Sequence, residues 1–232
     1  MNHPVQPCIG LIGGLGVGAT IYYYQHLARA CHERSRPLNL TMVHAESARV
    51  HAFVERNDGK GLAAYLAEFI KRLKAAGAEI AVIPAVTPHF CLEELNRVSE
   101  LPVLDIFRPI NDELAVRKIR RATVFGTRFV MNSALYGRVK EIEIVPARLD
   151  ETDHIHEIYL ELVRSGQGSE GQHADLTKLA RTLCEREALD AVILAGTDFA
   201  TLFHATSTDF PSVDCAALHV RAIVKSPAHG VD

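Results

Sequence analysis

Three short segments of the sequence place a threonine hydroxyl beside a group that could bind an anion or move a proton. They are Pro84-Ala85-Val86-Thr87-Pro88-His89, Gly126-Thr127-Arg128 and Ala195-Gly196-Thr197-Asp198. The hydroxyls could bind a carboxylate, and the guanidinium of Arg128 could pair with it through two hydrogen bonds. The carboxylate of Asp198 and the imidazole of His89 could take up or return a proton. The segments therefore point to a site that binds a small acid and transfers protons.

Each of these segments also has a purely structural interpretation. Thr87 could cap one helix and Thr197 or Asp198 another, because threonine and aspartate are common N-cap residues. For His89 we favour a hydrogen bond to the backbone. Arg128 could equally form a salt bridge between domains.

A glycine-rich segment, Gly10-Leu11-Ile12-Gly13-Gly14-Leu15-Gly16, follows an apolar run and precedes a predicted helix. Glycines permit a tight turn there, and the amide groups at the start of a helix attract anions. The segment lacks the GxGxxG spacing of a dinucleotide site and the lysine of a phosphate loop. We therefore expect Gly14 and its neighbours either to face a substrate carboxylate or to form a turn that binds nothing.

Short apolar runs alternate with helical segments along the chain, a pattern typical of parallel sheets covered on both faces. The predicted strands are 8–12, 40–44, 79–84, 103–105, 121–125, 142–146, 191–194 and 212–215. The predicted helices are 20–34, 61–76, 90–100, 110–116, 132–140, 152–165, 174–187 and 216–224. Each threonine-bearing segment directly follows a strand. Ligands of open α/β sheets bind beyond the carboxyl ends of the strands, so the loops that carry Thr87 and Thr197 should line one cleft between the lobes.

The alternation of strands and helices restarts near residue 108, and Ile-Pro-Ala-Val-Thr at 83–87 is weakly echoed by Leu-Ala-Gly-Thr-Asp at 194–198. We therefore expect an α/β fold of two similar Rossmann-like lobes with parallel sheets and a ligand cleft between them. The N-terminal lobe should span residues 1–107 and the C-terminal lobe 108–215. A C-terminal helix within 216–232 should pack back on the N-terminal lobe.

The composition argues against several classes of partner. The 232 residues carry a formal net charge of -3 and no block of lysine or arginine, so we expect neither nucleic acid nor a membrane surface as partner. No apolar run approaches the roughly 20 residues of a spanning helix, and no targeting segment is evident. The five cysteines have no CxxC spacing and the twelve histidines no HExxH spacing. We therefore expect no disulfides, no metal site and a reducing cytoplasm.

Taken in chain order, these segments resemble the aspartate/glutamate racemase family. The resemblance rests on the glycine-rich segment, Val82-Ile83-Pro84 with Thr87 and His89, Pro102-Val103-Leu104-Asp105, Gly126-Thr127-Arg128-Phe129 with Met131, Val192-Ile193-Leu194 with Thr197-Asp198, and Val213-Asp214 with His219. It implies two lobes with an active site between them and a small acidic amino acid or related carboxylic acid as substrate. It also implies a homodimer and proton transfer with no cofactor, neither pyridoxal phosphate nor metal.

Three positions depart from the family pattern. The family has Cys-Asn-Thr-x-His at the first loop and Gly-Cys-Thr-Glu at the second, whereas this chain has Ala85, Val86 and Gly196 at the cysteine, asparagine and cysteine positions. Racemisation without a cofactor needs one group that removes the α-proton and another that returns one from the opposite face. Thiols suit both steps because their pKa can be tuned towards neutrality, and alanine and glycine transfer no protons. Val86 should make the pocket more apolar, and neither Cys91 nor Cys215 is an obvious substitute.

Three hypotheses stay open. The first is a racemase-like isomerase that acts on a small carboxylic or amino acid by proton transfer without thiols. Its candidate catalytic residues are Asp198 and His89, with Glu46 and His204 as further candidates, and its candidate substrate-binding residues are Gly14, Thr87, Thr127, Arg128 and Thr197. The second is an inactive carboxylate binder that senses or regulates, which the vacated positions Ala85 and Gly196 favour. The third is a lyase, decarboxylase or hydrolase on the same scaffold.

Overall fold

The computed structural model describes residues 7–203 and 208–225. Within these ranges the chain forms two parallel sheets flanked by helices, which confirms the predicted two-lobed α/β fold. The strands are β1 (Ile9–Gly13), β2 (Leu40–His44), β3 (Ile80–Val82), β4 (Arg121–Phe125), β5 (Glu143–Ile144), β6 (Ala191–Leu194) and β7 (Ser212–Asp214). The helices are α1 (Val17–Glu33), α2 (Ser47–Glu55), α3 (Gly59–Ala75), α4 (Leu92–Val98), α5 (Phe107–Val116), α6 (Arg128–Asn132), α7 (Leu149–Ser165), α8 (Glu170–Glu187), α9 (Ala200–Phe203) and α10 (Cys215–Lys225).

Each sheet is built around a central strand that is buried on both faces. The strand order is β2-β1-β3 in the N-terminal lobe and β5-β4-β6-β7 in the C-terminal lobe, and every pair is parallel. All residues of β1 and β6 are buried. This explains why both runs are continuously apolar instead of alternating between apolar and polar residues.

The loops that follow β3, β4 and β6 meet between the lobes, as the sequence predicts. The amides of Ala195 and Gly196 both donate to the carbonyl oxygen of Phe125, at 2.8 and 3.1 Å. The Oγ1 of Thr197 donates to the carbonyl oxygen of Pro84 in the other lobe at 2.9 Å. These hydrogen bonds hold the ends of the two sheets together and define the cleft.

Helix α10 leaves the second sheet and packs against α1 and α5. Its residues Ala216, Val220 and Ile223 share a buried cluster with Ile9 and Tyr23 of the first lobe. The lobe limits at residues 107 and 215 stay predictions, and the part of the predicted C-terminal segment beyond residue 225 lies outside the described residues. No helix in the described ranges is long and apolar enough to cross a membrane.

Two local predictions are wrong. The helix predicted at 132–140 is absent, since α6 already ends at Asn132 and the backbone then turns left-handed at Ala134, Leu135 and Tyr136, with φ of 46°, 56° and 59°. A run of left-handed residues cannot continue a right-handed helix. The strand predicted at 103–105 is reduced to a single bridge between Val103 and Ala81.

Several helices begin a few residues before the predicted start, and others are not predicted at all. Helix α5 begins at Phe107, three residues before the predicted start, and the carboxylate of Asp105 accepts the Phe107 amide hydrogen at 2.8 Å. Helix α2 is not predicted at all, although Val50 and Val54 lie one turn apart and are both buried. This omission matters because α2 carries one wall of the cleft.

Candidate active site

A cavity of about 330 Å³ opens at the carboxyl ends of β3 and β4, between α2 of the first lobe and α6 and α7 of the second. Its polar lining consists of His51, Glu55, Thr87, Thr127, Arg128, Asn132 and His156, and its apolar wall of Val54, Phe129 and Leu160. A larger cavity of about 610 Å³ lies along α1, but no residue of the loops after β3 and β4 lines it. The 330 Å³ cavity, called the cleft pocket below, is therefore the candidate active site.

Two hydroxyl groups from different lobes meet in the cleft pocket. Thr87 begins the 3-10 turn Thr87–Cys91 after β3, and Thr127 immediately precedes α6. Their Oγ1 atoms lie 3.4 Å apart. The Oγ1 of Thr127 also accepts the amide hydrogen of Val130 at 3.2 Å, which caps α6 and fixes the rotamer of the threonine. Both hydroxyls can donate to an anion in the pocket.

Arg128 lies at the mouth of the cleft pocket and is already paired. Its guanidinium nitrogens Nε and Nη2 both lie 2.9 Å from Oδ1 of Asp153 on α7. Both partners belong to the C-terminal lobe, so this is no bridge between the lobes. Both side chains are more than 40% exposed, and exposed ion pairs contribute about 1 kcal/mol or less. A ligand carboxylate can therefore share or replace Asp153 at little cost.

Two histidines face the cleft pocket from opposite lobes, His51 from α2 and His156 from α7. Burial lowers the pKa of His51, and the charge of Glu55 partly offsets this. Burial also lowers the pKa of His156, with the positive charges of Arg128 and His51 acting in the same direction. The Nδ1 of His156 accepts the backbone amide hydrogen of Arg128 at 3.2 Å. Both rings are therefore held in the neutral form at pH 7.

The space next to Gly196 is filled by the ring of Tyr159. A Cβ atom built on Gly196 would lie 2.6 Å from Cδ2 and 2.9 Å from Cζ of Tyr159, closer than real Cβ contacts allow. The ring is 6% exposed and packs against Phe199 with 5.0 Å between ring centroids. A cysteine at this position would meet the same ring, so no side chain fits at 196 unless Tyr159 moves.

The positions of Ala85 and Val86 are closed as well. Ala85 is 7% exposed and packs in the core of the first lobe. Val86 is 2% exposed and reaches into the core of the second lobe. Val86 does not line the cleft pocket, so the expectation that it makes the pocket more apolar is wrong. The apolar wall comes from Phe129 and Leu160 among others.

Asp198 lies between the lobes but outside the cleft pocket. Its carboxylate is fully buried, accepts the amide hydrogen of Ala19 at 2.9 Å and accepts the Tyr159 hydroxyl hydrogen at 3.3 Å. Burial raises its pKa above the ordinary range, and the two hydrogen bonds oppose this. A Cβ on Gly16 would lie 2.7 Å from Cγ of Asp198, so the glycine there makes room for this contact. The carboxylate binds the start of α1 from the opposite lobe.

His89 is also completely buried. Its Nδ1 donates to the carbonyl oxygen of Ala85 at 2.8 Å, in line with the backbone hydrogen bond favoured for it. Its ring lies 6.3 Å from that of His219, whose Nδ1 is 3.0 Å from the Tyr23 hydroxyl. Burial lowers the pKa of both imidazoles, that of His219 to about 3. The catalytic roles predicted for His89 and Asp198 stay predictions.

The other predicted site residues divide into two groups. Thr87, Thr127 and Arg128 come together in the cleft pocket, whereas Gly14 and Thr197 do not line it. Gly14 has φ +83° and its amide donates to Thr20 Oγ1 at 3.1 Å, which is a turn held by its own helix. Two further candidates lie elsewhere: Glu46 is exposed at the start of α2, and His204 falls outside the described residues.

Comparison with known proteins identifies the scaffold. A model of the Asp/Glu/Hydantoin racemase family matches residues 12–223. The chain belongs to this family. Among solved structures, it is similar to an aspartate racemase homologue from Pyrococcus horikoshii OT3, with 22% identity over 94% of this chain and 97% of that chain and a TM-score of 0.72. The aspartate racemase of Picrophilus torridus has 16% identity over 94% and 92%, also with a TM-score of 0.72. The glutamate racemase of Thermus thermophilus has 21% identity over 96% and 81%, with a TM-score of 0.62.

In this member of the Asp/Glu/Hydantoin racemase family, Cys91 and Cys215 are buried and hard to ionise. Cys91 is buried, its Sγ donates to the carbonyl oxygen of Pro88 at 3.3 Å, and burial raises its pKa to about 12. Burial also raises the pKa of Cys215 well above its ordinary value. Neither supplies a thiolate near neutral pH. In the described ranges no disulfide forms, and no group of three or more histidine, cysteine, aspartate or glutamate side chains is placed to share a metal ion.

The sequence analysis does not single out His51 and His156 as site residues. His156 shares a helix with His154, and the two face different ways, since His154 Nε2 lies 2.9 Å from Asp175 on α8. The apolar spacing of Val50 and Val54 would have predicted α2 and placed His51 beside the cleft. The pairing of His51 with His156 has no sequence signal, because 105 positions separate them.

Asp198 provides a test that separates a structural from a catalytic role. We expect D198A to lower the free energy of unfolding by about 2–4 kcal/mol, because Ala19 and Tyr159 lose their shared acceptor. D198N should cost less than about 1 kcal/mol, since the amide retains an acceptor and avoids a buried charge. Because the pKa of Asp198 is raised, the folded protein holds this proton more tightly, and stability falls as pH rises from about 3.8 through the raised pKa.

Denaturant unfolding of both variants between pH 3 and 8 measures these differences. In D198N, the free energy of unfolding should no longer fall with rising pH through the raised pKa of Asp198. If Asp198 is instead the catalytic base, D198N will fold normally and lose all proton exchange with substrate. An equal loss of stability in both variants would contradict the hydrogen-bonding account.

Proposed function

We propose that this protein is a racemase-like isomerase that binds a small carboxylic or amino acid in the cleft pocket and transfers its α-proton without thiols. The observation that carries the proposal is the meeting of Thr87 and Thr127, one from each lobe, at the carboxyl ends of the strands in a racemase-family scaffold. Arg128 adds a cation at the same pocket. Hydroxyl donors beside a guanidinium are suited to a carboxylate.

The same donors favour α-proton chemistry. Removing the α-proton from a carboxylic acid moves negative charge onto the carboxylate oxygens, so donors aimed at those oxygens bind the transition state more tightly than the substrate. The pocket volume of about 330 Å³ suits a small ligand, and the wall formed by Val54, Phe129 and Leu160 suits an apolar side chain on it. The proposal includes a homodimer in the cytoplasm that works without a cofactor, as the family resemblance and the composition imply.

One observation favours a second candidate function, an inactive carboxylate binder with a sensing role. Tyr159 occupies the space beside Gly196, and Ala85 is packed in the core, so neither thiol position of the family is open. In this candidate the cleft pocket would bind an acid and close on it without reaction.

Proton exchange separates these functions. The protein would be incubated in deuterated water with D- and L-aspartate, D- and L-glutamate, D- and L-phenylalanine, and 5-benzylhydantoin, and the α-proton signal followed by NMR. Loss of that signal with an acid, together with slower formation of its opposite enantiomer, supports the isomerase. Thermal stabilisation by an acid that shows no exchange supports the inactive binder. Consumption of the acid points to a lyase, decarboxylase or hydrolase, and exchange confined to the hydantoin contradicts the carboxylate assignment.

Thr87 offers a test of the carboxylate site itself. We expect T87V to weaken the binding of a stabilising acid about tenfold while changing the free energy of unfolding by less than about 1 kcal/mol, because valine replaces the hydroxyl with a methyl group of similar size. T87S keeps the hydroxyl and should bind like the wild type. Calorimetric titration measures the affinity, and T182V, at an exposed threonine on α8, is the matched control. Unchanged affinity in T87V would remove Thr87 from the site.

A further inference from the structure

Two histidines, one from each lobe, line the cleft pocket and could act together on a bound acid. His51 reaches it from α2 of the first lobe and His156 from α7 of the second, and each ring is close enough for charge on His51 to disfavour charge on His156. Thr87 and Thr127 line the same pocket. A ligand whose carboxylate binds the two hydroxyls therefore shares the pocket with both rings.

The surroundings of His156 allow it to donate a hydrogen bond but not to remove a proton. Its Nδ1 accepts the backbone amide hydrogen of Arg128 at 3.2 Å, so in the neutral ring the proton sits on Nε2. Protonating Nδ1 would set two N–H groups against each other, and the guanidinium of Arg128 disfavours a second charge. A neutral imidazole in this tautomer can donate from Nε2 to a developing negative charge.

The surroundings of His51 favour the opposite role. The groups that face it are Glu55 on its own helix, His156 on α7 and Arg128 at the start of α6. Burial keeps its ring neutral at pH 7, and an imidazole with an ordinary pKa near 6.5 is well matched to proton transfer near neutrality. Of the two imidazoles that line the pocket, His51 is therefore the one available to act as the base.

We propose that His51 is the catalytic base of the cleft pocket and that His156 is the neutral donor that stabilises the intermediate; this assignment rests on the proposed function. His51 takes the α-proton, the C–H bond breaks, and its electron pair forms an ene-diolate on the carboxylate. His156 Nε2–H, Thr87 and Thr127 donate to the ene-diolate oxygens. The imidazolium of His51 then returns a proton to the α-carbon, which restores the neutral ring and the acid.

This arrangement has one proton-carrying group instead of the two that fast racemisation needs. A proton taken and returned by His51 comes back mainly to the face it left, with solvent deuterium exchanged onto the ring in between. Its rarer return to the other face gives slow racemisation. We therefore expect α-proton exchange with retention of configuration to be at least ten times faster than racemisation. Chiral chromatography alongside the NMR exchange measurement gives both rates.

Variants of the full-length protein separate the two roles. H51N should lower the exchange rate at least 100-fold while keeping the thermal stabilisation by the acid, because it removes the base and not the carboxylate site. H156L should lower exchange at least tenfold, and H156Q, which retains an N–H donor, should recover part of it. H154N, on the same helix but facing α8, is the control and should exchange at the wild-type rate.

The pH dependence provides an independent readout. Exchange should be level near neutrality and fall tenfold per pH unit once His51 is protonated, below pH 6.5. Nitrogen-15 NMR of the imidazoles should show His156 neutral with Nδ1 unprotonated.

Each outcome decides between the proposals. If H51N exchanges within threefold of the wild type, or loses acid binding along with exchange, His51 is not the base although the proposed function stands. Racemisation as fast as exchange means a second proton donor and overturns the one-base arrangement. If the wild type binds an acid but never exchanges its α-proton, the proposed function fails and this assignment fails with it.

Discussion

Replacing Gly196 by alanine is expected to lower the free energy of unfolding by about 3 kcal/mol, because the added methyl group needs the space of the Tyr159 ring. The substitution introduces no backbone strain, since Gly196 has φ -85° and ψ 108°, which alanine adopts freely. Relieving the overlap must move Tyr159, whose hydroxyl donates to the buried carboxylate of Asp198 at 3.3 Å. The cost therefore combines overpacking with a weakened charged hydrogen bond.

Thermal unfolding measures this effect as a fall in Tm of about 6–12 °C for a chain of this size. The matched control is G126A in the neighbouring loop, where a Cβ would lie 3.4 Å from the Gly196 nitrogen and 3.5 Å from Cγ1 of Val130. It should be nearly neutral. In a Tyr159→Ala background, G196A should cost almost nothing, because the ring that it meets is gone. A full cost in that background would show that the effect does not come from Tyr159.

Acidification should destabilise the protein strongly through its buried histidines. His219 is completely buried with a pKa lowered to about 3, against about 6.5 in the unfolded chain. Between about pH 6.5 and 3, His219 therefore binds a proton in the unfolded chain but not in the folded protein. The contribution of neutral His219 to the free energy of unfolding is fully present above about pH 6.5. It is lost as pH falls towards 3, and the total loss is about 4–5 kcal/mol. His89, also lowered, adds to the same loss.

Denaturant unfolding at pH 7 and pH 4 checks this expectation. H219Q carries no titrating ring, so it should lose about 3 kcal/mol less than the wild type between these pH values. Tyr23→Phe is the control, since it removes the hydroxyl 3.0 Å from His219 Nδ1 but leaves the buried imidazole in place. It should lower stability by about 1 kcal/mol at both pH values and keep the wild-type difference. An H219Q curve parallel to the wild type would show that His219 does not control acid unfolding.

The alternation of apolar runs with helices was enough to predict the architecture. Continuous runs such as Ala191–Leu194 predict strands buried on both faces, and their order along the chain predicts two parallel sheets. Since ligands bind at the carboxyl ends of parallel strands, the sequence also predicts that Thr87, Thr127 and Thr197 share one site, and the structure brings Thr87 and Thr127 together there but not Thr197. The strands and their order depend on residues close together in the chain, so short apolar runs in the sequence are enough to predict them.

Local errors arose where backbone geometry overrides side-chain pattern. A helix is predicted at 132–140, yet the left-handed residues Ala134, Leu135 and Tyr136 end the helix that begins before it. No residue type there signals a positive φ, because alanine, leucine and tyrosine rarely adopt one. The short helix α2 was missed although its apolar spacing was readable.

The chain itself therefore determined the two-lobed scaffold, its family resemblance and the absence of thiols at positions 85 and 196. Only the tertiary structure decided what occupies those positions and where the open pocket lies. Tyr159 fills the space beside Gly196 from 37 residues away, and His51 meets His156 across the cleft from 105 residues away. Such contacts depend on how separate elements pack against one another, and packing at that range leaves no periodic or compositional pattern in a single sequence.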